Sequence, residues 1–144
     1  MRYLLITLAF LLFGPLHAQL DSPVGRWKTV DDETGETKSV VEIYSKRGVY
    51  YGKIAEILSE NKAAVCELCE GSKKNKPILG LEIIEGLEKN DNETTTWDGG
   101  MILDPRKGAS YRLSVWYEDS DPNVLYVRGK HWTGLYRTQE WTRE

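Results

Sequence analysis

The two cysteines of the sequence, Cys66 and Cys69, are three positions apart. In an oxidising compartment, two cysteines with no other partner most simply form a disulfide bond with each other. A thiol-disulfide exchange site is an alternative, but such sites usually begin a helix, whereas the glycine and lysines of residues 71–77 indicate a loop. The pair would also supply half of a structural zinc site, with His131 or carboxylates as the other ligands. The pattern favours a disulfide and leaves the other two chemistries open.

Hydrolytic chemistry has no clear set of residues. After residue 18 the chain has one histidine, His131, and no Gly-x-Ser-x-Gly sequence. Acidic residues cluster at 31–33 and 118–121, in predicted turns, where solvated charge is the simpler interpretation. We therefore predict no catalytic residues, no cofactor and no metal site.

The pattern that best fits ligand binding lies near the C-terminus, where Leu135, Arg137, Gln139, Trp141 and Arg143 alternate and would share one face of a strand. A guanidinium and an amide could orient the carboxylate or other polar end of an amphipathic molecule, while aromatic rings cover its apolar part. The alternative is a filled interior in which Arg137 pairs with an internal carboxylate. The candidate ligand-binding residues are Trp27, Tyr111, Arg137, Gln139 and Trp141.

Short strands must position these side chains, because alternating apolar and polar runs separated by turn residues dominate the chain after residue 18. The intervening segments contain glycines, residues 90–92 and residues 104–108, all of which favour turns. The predicted strands are residues 24–30, 37–45, 49–58, 78–85, 94–97, 101–104, 111–117, 124–129 and 135–142.

Eight or nine strands with short links predict one all-β, mostly antiparallel domain over residues 19–144. Parallel pairing would require helical crossovers, for which the links are too short. A meander of this length tends to close into an up-and-down barrel of about eight strands, because closure removes the exposed strand edges. A two-sheet sandwich is the alternative. Around the cysteines, at residues 61–69, we expect one short helix or loop insertion.

Residues 1–18 have the pattern of a secretory signal peptide. Arg2 precedes the apolar residues 4–13, and Ala18 is a small residue at the expected cleavage point. This apolar run is too short to span a bilayer, which requires about 20 residues. The protein is therefore predicted to be exported, to the periplasm or out of the cell, with no membrane span. Its net charge of −3 argues against a nucleic-acid partner, which requires a basic surface.

Several motifs together resemble the bacterial secreted family called domain of unknown function 2147. They extend over nearly the whole chain after residue 18, and they include the Cys-x-x-Cys pair, Gly-Gly-x-Ile-x-Asp-Pro at residues 99–105, Val-Arg-Gly at residues 127–129 and Arg-Thr-Gln-Glu-Trp at residues 137–141. The resemblance implies a small, exported, lipocalin-like β-barrel, in a family whose members have no established activity.

The beginning of the predicted barrel, Gly25-Arg26-Trp27, also matches the Gly-x-Trp that begins lipocalin chains. In that superfamily an arginine near the end of the last strand lies over the tryptophan ring, and this cation–π contact seals the closed end of the barrel. The resemblance implies this role for Arg137 or Arg143.

The leading functional hypothesis is a non-enzymatic exported barrel that binds a small, partly apolar ligand in its lumen. Its expected partner is a small amphipathic or hydrophobic molecule. One alternative is a structural or protein-interaction module of the cell envelope with a filled barrel. A second is a thiol-disulfide redox accessory that uses Cys66 and Cys69.

Overall fold

The computed structural model describes residues 20–144, and the predicted signal peptide lies outside the described residues. Within this segment the one helical element is a 3-10 turn at Gly71–Lys73. The strands, in chain order, are β1 (Gly25–Val30), β2 (Thr37–Lys46), β3 (Val49–Ile57), β4 (Glu82–Lys89), β5 (Thr96–Asp104), β6 (Ala109–Trp116), β7 (Val124–Lys130) and β8 (Tyr136–Arg143).

The eight strands form a single closed barrel in up-and-down order. Each strand pairs antiparallel with the next one in the chain. The pairs Trp27 with Arg143 and Lys28 with Thr142 join β1 to β8 and close the sheet. The prediction of an antiparallel barrel of about eight strands is confirmed, and the chain does not adopt the sandwich.

Strand β5 corrects the sequence-based assignment at Gly99 and Gly100, where the sequence predicts a turn between two strands. The pairing register shifts between Trp97 and Gly100, and Gly99 has a φ of +76°, so the strand carries a bulge and continues. A Cβ atom on Gly100 would lie 2.9 Å from the backbone nitrogen of Leu87. The two glycines therefore bend one strand and let β4 approach closely, rather than ending the strand.

The segment between β3 and β4, residues 58–81, contains the insertion that the sequence predicts at residues 61–69. It is a loop that contains the 3-10 turn and one isolated bridge, between Val65 and Pro77. The predicted fourth strand begins at Ile78, but β4 begins at Glu82. Ile78 lies in this loop and packs against the barrel core from there, outside the sheet.

The links β1–β2, β3–β4, β5–β6 and β7–β8 lie at one end of the barrel, which we call the open end. The residues before β1, the last residue and the other three links lie at the opposite, closed end.

Aromatic rings fill the interior at the closed end. Trp27 and Trp97 are completely buried, and the ring of Tyr117 lies between them, with centroid distances of 6.1 and 5.9 Å. The guanidinium carbon of Arg143 lies 4.2 Å from the centroid of the Trp27 ring, and Arg143 Nη2 donates a hydrogen bond of 3.2 Å to Tyr117 Oη. The cation–π contact implied by the lipocalin resemblance is therefore made by Arg143, and Arg137 lies at the other end of β8.

Candidate functional site

A cavity of about 800 Å³ occupies the open half of the barrel. Pockets for small ligands in proteins typically measure about 300–1,000 Å³. The barrel is thus filled by side chains in its closed half and hollow in its open half, so the alternative of a completely filled interior does not describe it. The apolar wall of the cavity includes Ile54, Ile57, Ile83, Ile102 and Val127.

Strand alternation explains why these side chains face inward. On β5, Ile102 lines the cavity, whereas its neighbour Met101 is 42% exposed on the outside of the barrel. Successive side chains of a strand point to opposite faces of the sheet, which in a barrel are the lumen and the solvent. The β-branched isoleucines suit both the strand backbone and an apolar wall.

The mouth of the cavity is polar, and its most buried charged group is Asp31, which follows β1 and is only 7% exposed. Its Oδ1 accepts hydrogen bonds from the backbone N–H groups of Thr34 and Glu33, each at 3.0 Å, and from Thr34 Oγ1 at 3.3 Å. The backbone N–H of Thr34 is the largest cause that lowers the pKa of the Asp31 carboxyl below its ordinary value, and Arg106 adds to it. The carboxylate is therefore held ionised at the edge of the cavity.

An ion pair crosses the mouth. Arg106, in the link between β5 and β6, places Nη1 2.9 Å from Asp31 Oδ2. Because β1 and β5 are four strands apart in a ring of eight, the two residues come from opposite sides of the barrel. The side chain of Arg106 is 62% exposed, so the pair lies at the surface of the opening. A guest that enters the cavity must pass beside this pair or separate it.

A chain of hydrogen bonds follows the inward face of β8. Trp141 Nε1 donates to Gln139 Oε1 at 3.0 Å, and Gln139 Nε2 donates to Asp32 Oδ2 at 2.7 Å. Arg137 Nη1 donates to the same carboxylate oxygen at 3.1 Å. Asp32 thus holds both the amide and the guanidinium that the sequence places on this face.

The structure brings three of the five predicted ligand-binding residues to the cavity. Tyr111, Arg137 and Gln139 line it, and Trp27 and Trp141 do not. The two tryptophans do face the interior, but β8 runs from the mouth at Tyr136 to the closed end at Arg143, and β1 runs the opposite way. Alternation identifies the inward face of a strand, whereas depth along the barrel decides which inward residues reach the hollow part.

The role of the acidic residues at the mouth and the packing of the β3–β4 loop against it are not evident from the sequence. The turn pattern around Asp31 and Asp32 indicates solvated charges, yet the two residues hold Arg106 and Arg137 in ion pairs. The only sequence signal is the spacing of Asp31 and Thr34, which is typical of a side chain that accepts backbone hydrogen bonds in a turn. No sequence pattern near Asp31 and Asp32 indicates that arginines from distant segments bind them.

The predicted disulfide between Cys66 and Cys69 is present, with its Cα atoms 5.4 Å apart. Both residues are buried, at 0% and 2% exposure. The disulfide lies in the β3–β4 loop, whose Leu68 packs so closely on Gly108 that a Cβ there would be 1.9 Å from the Leu68 carbonyl oxygen. The disulfide therefore shapes a loop that is fitted against the β5–β6 link at the mouth. Thiol-disulfide exchange requires an accessible sulfur, so this burial disfavours the redox alternative.

His131 lies at the mouth, half-buried, with its ring 6.1 Å from that of Tyr111. Its Nδ1 is 2.8 Å from Thr133 Oγ1, in the same turn. Among residues 20–144, no group of three or more His, Cys, Asp or Glu side chains is arranged to hold a metal ion. In the same described segment, no helix has the length and apolar character needed to cross a membrane.

Comparison with known proteins places these features in a family. The profile of a family described as uncharacterized protein conserved in bacteria (DUF2147) matches residues 25–143. Among solved structures, the barrel is similar to a Helicobacter pylori protein that is described as belonging to the lipocalin family, with 20% sequence identity and a TM-score of 0.71. The match covers 85% of this chain and 83% of that one, and at this identity it concerns the fold alone. No curated protein matches the chain.

Proposed function

The chain belongs to the DUF2147 family, and we propose that it is a non-enzymatic, exported barrel that binds one small, partly apolar molecule in its open half. The observation that carries the proposal is the division of the interior. A barrel of about eight strands either fills its interior with side chains or holds one small ligand. Here large rings fill only the closed half, and an apolar cavity of about 800 Å³ remains above them.

The distribution of polarity in the cavity favours an amphipathic guest. Isoleucines and Val127 form the wall, whereas the charged groups are concentrated at the mouth. An apolar portion would lie against the wall, where its burial contributes about 25 cal/mol for each Å² removed from water. A polar end would remain at the mouth.

Lys107 is the cation best placed to bind an anionic end of the guest. The other cations of the lining, Arg106, Arg137 and Lys38, are already paired with carboxylates. Lys107 also lines the mouth, and no carboxylate pairs with it among residues 20–144. A carboxylate on the guest could therefore bind Lys107 without breaking an existing ion pair. Arg137 and Gln139 would remain bound to Asp32 and would form the polar side of the mouth.

Export is supported by the signal-peptide pattern and by the disulfide, since disulfides persist mainly in oxidising compartments. Expression of the whole chain in a bacterium, followed by fractionation and mass spectrometry of the processed protein, tests this part. We expect a periplasmic or secreted form that begins at Gln19. An unprocessed cytoplasmic chain would contradict it.

Binding is tested with two fluorescent probes, the anionic 8-anilinonaphthalene-1-sulfonate and the neutral N-phenyl-1-naphthylamine. Ile102→Trp fills the cavity from β5 and should weaken both probes at least tenfold, which is about 1.4 kcal/mol. Met101→Trp is the matched control, because Met101 is the neighbouring residue on the outside of the same strand. Equal binding by the two variants would show that the probes do not use the lumen.

The role of Lys107 is tested by comparing the two probes on one variant. Lys107→Gln should weaken the anionic probe several-fold and leave the neutral probe unchanged. A similar change for both probes would contradict the assignment. Native mass spectrometry of protein purified from its own host then tests the proposed function, and we expect it to detect one retained small molecule.

A further inference from the structure

Exposed apolar side chains are concentrated at the open end. Nine large hydrophobic residues among residues 20–144 are exposed, and seven of them lie in the β3–β4 and β7–β8 links or at the first residue of β8. Only Val24 and Met101 lie elsewhere. Four of the seven belong to the β3–β4 loop: Leu58, Val65, Leu68 and Leu79, with exposures of 39–60%.

The other three form the tip of the β7–β8 hairpin. Trp132 is 86% exposed, Leu135 76% and Tyr136 63%. His131 N donates to the carbonyl oxygen of Leu135 at 2.7 Å, and Gly134 N donates to that of His131 at 3.0 Å, so a hydrogen-bonded turn holds Trp132 and Leu135 outward. Large apolar side chains grouped on a surface usually mark an interaction site.

Charge is also distributed unevenly along the barrel axis. The three links β3–β4, β5–β6 and β7–β8 contain six lysines and arginines against three glutamates. The closed-end segments 20–24, 47–48, 90–95, 117–123 and 144 contain one arginine against seven acidic residues. The β1–β2 link at the open end adds four acidic residues, of which Asp31, Asp32 and Glu36 are paired with Arg106, Arg137 and Lys38. With these three ion pairs set aside, the four links of the open end contain five lysines against four glutamates. An anionic surface would therefore repel the acidic closed end, whereas the open end is close to neutral and, within residues 20–144, has free lysines.

We propose that the open end docks on the surface of an anionic lipid bilayer, with the mouth of the cavity toward the membrane. We call the docking surface the rim, and it consists of the seven exposed apolar side chains and the basic residues of the same links. Tryptophan and tyrosine are enriched at membrane interfaces, where their amphipathic rings lie at the level of the headgroups. Lysines of the β3–β4 loop, at the same end of the barrel, would interact with anionic headgroups.

The combination of residues favours a bilayer over a protein partner. Interfaces between proteins are enriched in aromatic residues and depleted of lysine, whereas the rim combines Trp132 and Tyr136 with Lys62, Lys74 and Lys76. Membrane-surface segments combine lysine with tryptophan and leucine. Docking of the rim does not require the cavity to be occupied, although it would give a lipid-derived guest direct access to the mouth.

Vesicle flotation tests the docking surface. The purified protein is mixed at low salt with vesicles of phosphatidylcholine alone or with an equal part of phosphatidylglycerol. We expect binding to the mixed vesicles, weaker binding to phosphatidylcholine, and release as salt is raised, because salt screens surface charge. The double variant Trp132→Ser/Leu135→Ser should lower the bound fraction at least tenfold. Its matched control, Val24→Ser/Met101→Ser, removes the two exposed apolar side chains that lie outside the rim and should remain within twofold of the unchanged protein.

A charge-reversal pair tests the electrostatic part. Lys76→Glu in the rim should weaken binding to the mixed vesicles, and Arg47→Glu at the closed end should not. Equal effects of the two reversals, or unchanged binding by the Trp132→Ser/Leu135→Ser protein, would overturn the proposal.

Two further outcomes would also overturn it. Failure to bind the mixed vesicles is one of them. The other is a concentration-dependent dimer, detected by analytical ultracentrifugation, that Trp132→Ser/Leu135→Ser abolishes, because the rim would then be occupied by a second copy. Ile102→Trp keeps this test separate from lumen binding, since that variant should lose the probes and still float with the vesicles.

Discussion

The two halves of the barrel are built from the same eight strands, but they differ in what lies inside. In the closed half, Trp27, Trp97 and Tyr117 occupy the interior, and Arg143 makes a cation–π contact with Trp27 and a hydrogen bond to Tyr117. In the open half, isoleucines line a cavity, and the arginines of the two ion pairs at its mouth are exposed. The comparison indicates that stability is concentrated in the closed half, which leaves the open half free for binding.

Removing one of the two fully buried tryptophan rings of the closed half should have the largest effect. Trp27→Ala should lower the free energy of unfolding by about 4 kcal/mol, because it leaves a void among packed rings and removes the stack under Arg143. Ile57→Ala in the cavity wall should cost only about 2 kcal/mol, since Ile57 borders open space and makes fewer contacts. Urea unfolding measures both. Equal losses would show that the two halves are equally important for stability.

Two glycines in hairpin links at opposite ends allow a comparison of the links. Gly108 has a φ of +63° and lies against Leu68, whereas Gly48 has a φ of +81°, and a Cβ atom added to it would have no heavy atom within 4 Å. Gly48→Ala should cost about 1 kcal/mol of backbone strain. Gly108→Ala adds a clash with the β3–β4 loop and should cost about 3 kcal/mol. Limited proteolysis should then cleave residues 58–81 faster in Gly108→Ala only, and equal rates in the two variants would contradict the proposed fit of the loop.

The two arginines of β8 separate stability from binding. Arg143→Met should lower the free energy of unfolding by about 2 kcal/mol, because it removes the cation–π contact and hydrogen bonds to Tyr117 and Pro122. Arg137→Met should cost less than about 1 kcal/mol, since its ion pair with Asp32 is exposed. The affinity for the anionic probe should show the opposite order, since Arg137→Met should weaken it more than Arg143→Met does. If Arg143→Met weakened the probe more, the division between the halves would not hold.

The smallest effect we expect is on the pH dependence of stability, through the ionisation of Asp31. Its pKa is lowered in the folded protein, chiefly by the backbone N–H of Thr34, so its ionisation stabilises the fold above the ordinary value of 3.8. That contribution is lost as the pH falls through the lower folded value. Asp31→Asn should therefore be less stable than the unchanged protein at neutral pH, and the difference should shrink below about pH 4. A constant difference between pH 7 and pH 2, measured by thermal unfolding, would contradict this assignment.

Most of the architecture could be predicted from local patterns. Alternation and turn residues predict the strands, and the Cys-x-x-Cys pair predicts both the insertion and the disulfide. One error occurs at Gly99 and Gly100, which form a bulge inside β5 rather than a turn. Another occurs at Ile78, which precedes β4 in a loop rather than beginning the strand. The site was less predictable. Tyr111, Arg137 and Gln139 line the cavity, but Asp31 and Arg106 are 75 positions apart, and no local pattern links them.

The sequence by itself determined the antiparallel succession of strands and the alternating faces of β8, and it favoured closure into a barrel over a two-sheet sandwich. These properties depend on period, turn chemistry and composition, all of which act over a few residues. The tertiary structure alone decided which inward side chains fill the barrel and which line a cavity, because depth along the axis depends on how all eight strands are staggered. It also decided that Arg143 covers Trp27, that Arg106 crosses the mouth to Asp31, and that the exposed apolar side chains gather at one end, since each of these arrangements joins segments that are far apart in the chain.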